Sequence, residues 1–109
     1  MSQPIINHFG TKFWYDEQGQ THREDGPAVE YADGTKCWCQ HGRFHREDGP
    51  AIECSDGHQE WLQDGKLHRV DGPAVELADG SKEWYLDNKF IDVQTQEEFE
   101  RMVKLKASW

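Results

Sequence analysis

Three side chains with chemical potential recur together. His22, Arg23 and Asp25 are followed by His45, Arg46 and Asp48, and then by His68, Arg69 and Asp71, each set 23 residues after the last. Stacked at a fixed period, they would form a row of imidazoles, a row of guanidiniums and a row of carboxylates. A guanidinium row can grip phosphate or carboxylate through paired N–H donors, and imidazole with carboxylate can hold a metal ion. The competing reading is local. Asp before Gly-Pro makes an Asx-type turn, Pro fixes φ, and Arg pairs with a carboxylate of the neighbouring unit. Repetition within one chain shows that each unit has the same structural need, so architecture is the first expectation and a ligand ladder the second.

The surrounding sequence supplies the units. "HREDGPAVEYADGTKCWCQHGRF" (22–44), "HREDGPAIECSDGHQEWLQDGKL" (45–67) and "HRVDGPAVELADGSKEWYLDNKF" (68–90) align without a gap. A half unit at 10–21 precedes them, with one extra residue before its turn. Each unit holds two β-rich runs joined by an Asp-Gly turn, which is a hairpin signal. A two-residue turn would set Glu53 against Glu60 and Glu76 against Glu83, like charges directly opposite. A three-residue turn with Gly34 at the bulge instead sets Glu30 against Lys36 and Glu76 against Lys82. It also places Trp38, Trp61 and Trp84 over Ala28, Ala51 and Ala74, large against small.

A second turn in each unit reads His41-Gly42, Asp64-Gly65 and Asp87-Asn88. Gly exchanged only for Asn predicts positive φ there. Phe44, Leu67 and Phe90, leading out of this turn, are expected to plug the core below each Trp.

The stretches "GPAVEYADG", "GPAIECSDG" and "GPAVELADG" resemble the MORN-variant repeat family over residues 10–90, although Cys54 and Leu77 depart from the aromatic at Tyr31. The resemblance implies an antiparallel meander of stacked hairpins acting as an interaction or scaffolding module. "HREDGPA" repeats of this kind are similar to those of bacterial and bacteriophage proteins, which implies such a source.

After Phe90 the period ends. Thr95 to Glu98 form a capping box, and Phe99, Met102 and Val103 share a helical face. A helix over 95–107 is therefore expected to cap the open end of the sheet, with a partner contact through the same stripe and Trp109 as the alternative. The fold class is mostly β: a single domain of seven or eight short antiparallel strands, with a C-terminal capping helix.

Composition bounds the function. The chain has 109 residues, 35% hydrophobic and 30% charged, with 21 Asp+Glu against 12 Lys+Arg and a net charge of -9. A thin core carried by five Trp and five Phe follows. That charge disfavours nucleic acid and anionic membrane as partners. The opening residues lack the basic and apolar regions of a secretory signal, and no apolar run reaches membrane length, so a cytoplasmic setting with reduced thiols is expected. Cys37, Cys39 and Cys54 match no zinc spacing and have no counterparts in the sister units, so they read as ordinary thiols without metal. No nucleophile elbow, P-loop or HExxH motif is present, and no catalytic residue, cofactor or enzyme activity is expected.

The expected function is a non-enzymatic protein-interaction module, a phage or bacterial factor that inhibits or scaffolds a host protein. Its candidate surface is Glu47, Asp48, Glu53, Asp56 and Glu60 with Tyr31 and Tyr85. A basic nucleic-acid-binding protein fits that surface. Val29, Tyr31, Ile52, Leu62, Val75, Leu77 and Tyr85 would line one sheet face and the Trp row the other, leaving a face for a partner or a homodimer. The alternative is a homo-oligomer that sequesters a small nucleotide-like anion on His22, Arg23, His45, Arg46, His68 and Arg69.

Overall fold

The computed structural model describes residues 3–107; Trp109 lies outside them. Among the described residues are thirteen short strands and one helix. The strands are β1 (Ile5–Ile6), β2 (Lys12–Phe13), β3 (Val29–Glu30), β4 (Lys36–Cys37), β5 (Cys39–Gln40), β6 (Arg43–Phe44) and β7 (Ile52–Glu53). They continue with β8 (Gln59–Glu60), β9 (Leu62–Gln63), β10 (Lys66–Leu67), β11 (Val75–Glu76), β12 (Lys82–Leu86) and β13 (Lys89–Ile91), and the helix α1 spans Gln96–Ala107. Nine strands make one antiparallel sheet in the order β1-β2-β3-β4-β7-β8-β11-β12-β13, while β5-β6 and β9-β10 are separate hairpins. The chain is therefore mostly β, a meander of stacked hairpins with a terminal helix. Its extents of 49 × 31 × 18 Å are those of a thin slab.

The three-residue turn is present. Gly34, Gly57 and Gly80 have φ of 97°, 99° and 92°, and Glu30 faces Lys36 as Glu76 faces Lys82. The register then runs unbroken across the sheet. One row reads Phe13, Val29, Cys37, Ile52, Glu60, Val75, Glu83. The next reads Lys12, Glu30, Lys36, Glu53, Gln59, Glu76, Lys82, and so alternates in charge along most of its length. Because side chains alternate, the two rows occupy opposite faces.

Thirteen strands replace the expected seven or eight because the ladder changes partner at each Trp. The Trp38 N–H donates to Ala51 of the following unit, whereas its carbonyl accepts from His45. Trp14 and Trp61 do the same, with Ala28 and His22 and with Ala74 and His68. Beyond each Trp the chain leaves the main sheet and enters an outer hairpin. Only β12 runs straight through, because Trp84 pairs with Ile91. Ala28, Ala51 and Ala74 have no exposed surface, as the large-against-small pairing requires.

Several expected core positions lie elsewhere. Phe44 and Phe90 are exposed and Leu67 is half-buried, since the second turn carries them outward on the hairpins. Leu62 is buried, but it and Tyr85 lie past their Trp residues, outside the Val29–Ile52–Val75 row.

The helix ends the stack by packing on Trp84. Glu98 N–H donates to Thr95 Oγ1, and Gln94 N–H donates to Glu98 Oε1, closing the capping box one residue earlier than the simplest form. Phe99 is 1% exposed beside Trp84 and Val93, with Val103 half-buried against them. Met102 points outward, so the buried stripe is narrower than the spacing suggested. Trp84 Nε1–H donates to Gln96 Oε1 at 2.7 Å. Val70 replaces the Glu24 and Glu47 of the earlier loops where α1 comes near, and its carbonyl accepts from Gln96 Nε2.

Gly26, Gly49 and Gly72 do not need positive φ; they need the absence of a side chain. A Cβ on them would lie 3.0, 2.9 and 2.5 Å from the guanidinium carbon of Arg23, Arg46 and Arg69. Gly72→Ala should therefore cost about 1–3 kcal/mol in urea unfolding. Gly65→Asn, which copies Asn88 at the matching turn, should stay within about 0.5 kcal/mol of wild type.

Candidate functional site

The repeated phrase builds a sandwich around its arginine. The guanidinium carbons of Arg23, Arg46 and Arg69 lie 4.0, 3.8 and 3.9 Å from the ring centroids of Trp14, Trp38 and Trp61. Each stack joins an Arg to the Trp of the preceding unit. The opposite side of the guanidinium is floored by Gly26, Gly49 or Gly72. Nε then donates to Asp25, Asp48 or Asp71 at 3.0, 3.1 and 2.9 Å. Nη1 donates to the carbonyls of Pro27, Pro50 and Pro73 at 3.2, 3.1 and 3.1 Å. It also reaches Glu30 at 3.4 Å and Glu53 at 2.8 Å, with Glu76 farther at 3.7 Å.

Two expectations are corrected by this geometry. The arginines pair with carboxylates of their own unit and contact the neighbouring unit through its indole. The aspartates of the phrase accept from Arg Nε instead of capping an Asx turn. Spacing alone could have hinted at the stack: every Trp followed eight or nine residues later by Arg is a stacked one, and Trp84, which has no such Arg, receives the helix.

The histidines clamp turns. His22, His45 and His68 each accept, at Nδ1, the backbone N–H of His41, Asp64 and Asp87, at 3.0, 3.0 and 3.2 Å. The carbonyl just before each histidine accepts from Gly42, Gly65 or Asn88. The turn pairs His41-Gly42, Asp64-Gly65 and Asp87-Asn88 have positive φ at both positions, one more than the Gly/Asn exchange revealed.

The predicted acidic surface divides into parts. Glu47 and Asp48 are exposed on the loop before β7, Asp48 with 89% of its side chain accessible. Glu53 is drawn to Arg46. Asp56 sits at the other end of β7, where its carboxylate accepts the N–H of His58. Glu60 lies on the opposite face, 2.7 Å from His58 Nε2. Tyr31 is exposed near the Asp33 turn, whereas Tyr85 is half-buried, donates to Glu83 and meets Phe90 edge-on. Those residues do not form one patch.

What the fold does bring together is a set of loops with grooves between them. One groove of about 690 Å³ is lined by the 23–27 loop, Trp38, His45 and the 46–48 segment. The next, about 460 Å³, repeats it one unit on with the 46–50 loop, Trp61, His68 and the 69–71 segment. Equivalent loops are two strand spacings apart, about 9.6 Å.

Cys37 and Cys39 are buried thiols and Cys54 is half-buried. Desolvation, helped by Cys39, Cys54 and Glu60, pushes Cys37 up to about 11, and burial also raises Cys39 and Cys54. None belongs to a group that could hold a metal; among the described residues the one such group is Asp16, His22 and His41, which the sequence reading did not single out. The hydrogen bond from His41, then those from the Gln20 and Gln18 amides, hold the Asp16 carboxyl below its usual range. Comparison with family models, curated proteins and solved structures finds no match for this chain.

Two outcomes follow. Arg46→Lys keeps the charge but loses the planar fork and the stack, and should lower unfolding stability by about 2 kcal/mol, read from urea midpoints. Asp16, ionised more readily when folded, adds stability above the usual carboxylate range and loses it as pH falls through its lowered value. Asp16→Asn should therefore blunt the fall in Tm as pH drops below the usual carboxylate range.

Proposed function

We propose that this chain is a non-enzymatic interaction module that docks a basic protein surface along its ladder of acidic loops. The observation that carries the reading is the exposed carboxylates bordering two successive grooves: Glu24 and Asp25, Glu47 and Asp48, then Asp71. Asp25, Asp48 and Asp71 have 80%, 89% and 83% of their side chains exposed even while one oxygen serves Arg Nε. A cationic side chain entering either groove meets carboxylate on both walls and the rim of an indole. Such a surface steers a basic partner, including a nucleic-acid-binding protein. Within the candidate surface, Glu47 and Asp48 belong to this ladder, Glu24, Asp25 and Asp71 join it, and Glu53, Asp56 and Glu60 serve the fold.

The resemblance to MORN-variant repeats supports an interaction or scaffolding role, and a phage or bacterial factor that inhibits or scaffolds a host protein in the cytoplasm is part of the proposal. Among the described residues no helix is long and apolar enough to cross a membrane. The sequestration of a nucleotide-like anion is less well supported. Nε and Nη1 of each arginine already serve their own loop, and each groove carries more carboxylates than guanidiniums.

The test is binding of a synthetic Lys/Arg-rich peptide to the immobilised protein at several salt concentrations. Affinity should fall as salt rises, and Glu24→Lys/Glu47→Lys should weaken it at least about tenfold. Asp56→Lys, at the far end of β7, should bind as wild type. Unchanged binding by the double variant, or equal loss with Asp56→Lys, would sink the docking ladder.

A further inference from the structure

At the junction of the half repeat with the first full repeat, two departures from the repeat pattern coincide. The position occupied by Gln40, Gln63 and Leu86 in the full units is Asp16 in the half unit. The first residue of the second turn, Asp64 and Asp87 in the later units, is His41. Both meet His22, the turn-clamping histidine that every full unit has. One donor atom from each of the three lies within 4.8 Å of the other two.

We propose that Asp16, His22 and His41 bind one divalent transition-metal ion of the zinc type. Two imidazoles and a carboxylate are the mixed N/O set that Zn²⁺ accepts and that Ca²⁺ and Mg²⁺ do not favour. Asp16 is already oriented for the task. Its Oδ1 accepts the Gln18 and Gln20 amides, both at 2.9 Å, leaving Oδ2 directed at His41 Nδ1 at 2.8 Å. Outer hydrogen bonds of this kind fix a ligating carboxylate. The His22 ring stacks 4.2 Å from that of His41. Asp16 is nearly covered, with 8% of its side chain exposed, while His41 is 66% exposed and has room to rotate.

Ligand bonds of about 2.0–2.1 Å place tetrahedral donor atoms about 3.3 Å apart, so the site closes by a side-chain adjustment without a change of fold. The ion takes the place of the proton shared by His41 Nδ1 and Asp16 Oδ2. If His22 offers Nε2 the ion leaves the His41 amide bond to Nδ1 intact; if it offers Nδ1, that amide lies in an exposed turn, where water can replace its acceptor. Three protein ligands leave a fourth position for water. The ion would tie the 16–20 loop to the 41–42 turn, and so the half repeat to the first full one.

The test is titration of chelator-treated, reduced protein with zinc chloride, followed by calorimetry and by the imidazole carbon–proton resonances. One equivalent should bind in the micromolar range, shift His22 and His41, and raise Tm by several degrees. His41→Asn removes the imidazole without adding a carboxylate, and Asn enters the left-handed region readily, as Asn88 does at φ 70°, so the turn keeps its shape. Asp16→Asn keeps the Oδ1 acceptor and removes the ligand charge. Each should keep the wild-type far-UV spectrum and weaken Zn²⁺ binding at least about tenfold. The proposal is overturned by undiminished binding in His41→Asn, by movement of His8, His58 or cysteine resonances in place of His22 and His41, or by no binding at about 1 mM Zn²⁺.

Discussion

The guanidiniums of Arg23, Arg46 and Arg69 each rest 3.8–4.0 Å above an indole of the preceding unit, with a glycine beneath and acceptors at the Nε and Nη1 edges. Most of the repeated phrase follows from housing that one planar cation. Glycine leaves space for it, the proline carbonyl and the aspartate receive its N–H groups, and the glutamate two residues after the alanine balances its charge. Alanine lets the Trp of either neighbour approach the strand. Lysine has neither the plane nor the fork, so it could not hold the place. Because every stack crosses from one unit to the next, stability is shared among neighbouring units, as in other linear repeats, and a slab 18 Å thick can persist without a deep apolar core.

A linear stack must also end, and its two ends are handled differently. At the C-terminal end, Trp84 has no arginine eight or nine residues after it. Gln96 supplies the hydrogen bond and Phe99 the apolar cover, and Val70 stands where the earlier loops carry glutamate. At the other end the half unit contributes Trp14 for Arg23 to stack on and closes with the Tyr15–Thr21 bridge and the Asp16 loop. Ordinary turn and cap chemistry is enough at both ends.

The same sandwich shapes the surface. Each phrase aspartate turns one oxygen inward to its arginine and leaves the rest of the carboxylate in water, beside the glutamates of the first two loops. The repeat therefore displays negative charge at regular intervals on these loops while the arginine of each loop is stacked and engaged. An acidic, grooved edge is a by-product of how the units are fastened, and it is the feature on which the proposed docking of a basic partner rests.

Much of the fold was legible in the residues. The 23-residue period, the bulged three-residue turn, Trp against Ala, the positive-φ turn and the capped helix all depend on contacts between positions a few residues apart, or on a pattern repeated three times. The stacking of Arg46 on Trp38 was not legible, nor were the change of ladder partner at each Trp, the outward course of Phe44 and Phe90, and the scattering of Glu53, Asp56 and Glu60. Those depend on how far one unit is displaced and turned against the next, and periodicity is silent on that. Asp16, His22 and His41 show the limit most clearly. They are 6 and 19 residues apart in a chain where the eye follows a 23-residue beat, and only the closing of one turn against the preceding loop makes them neighbours. The sequence by itself determined the repeating unit and its local geometry, because short-range sterics and charge pairing act within a few residues. Tertiary structure alone decided which side chains of successive units touch, because that depends on the path of the backbone between them.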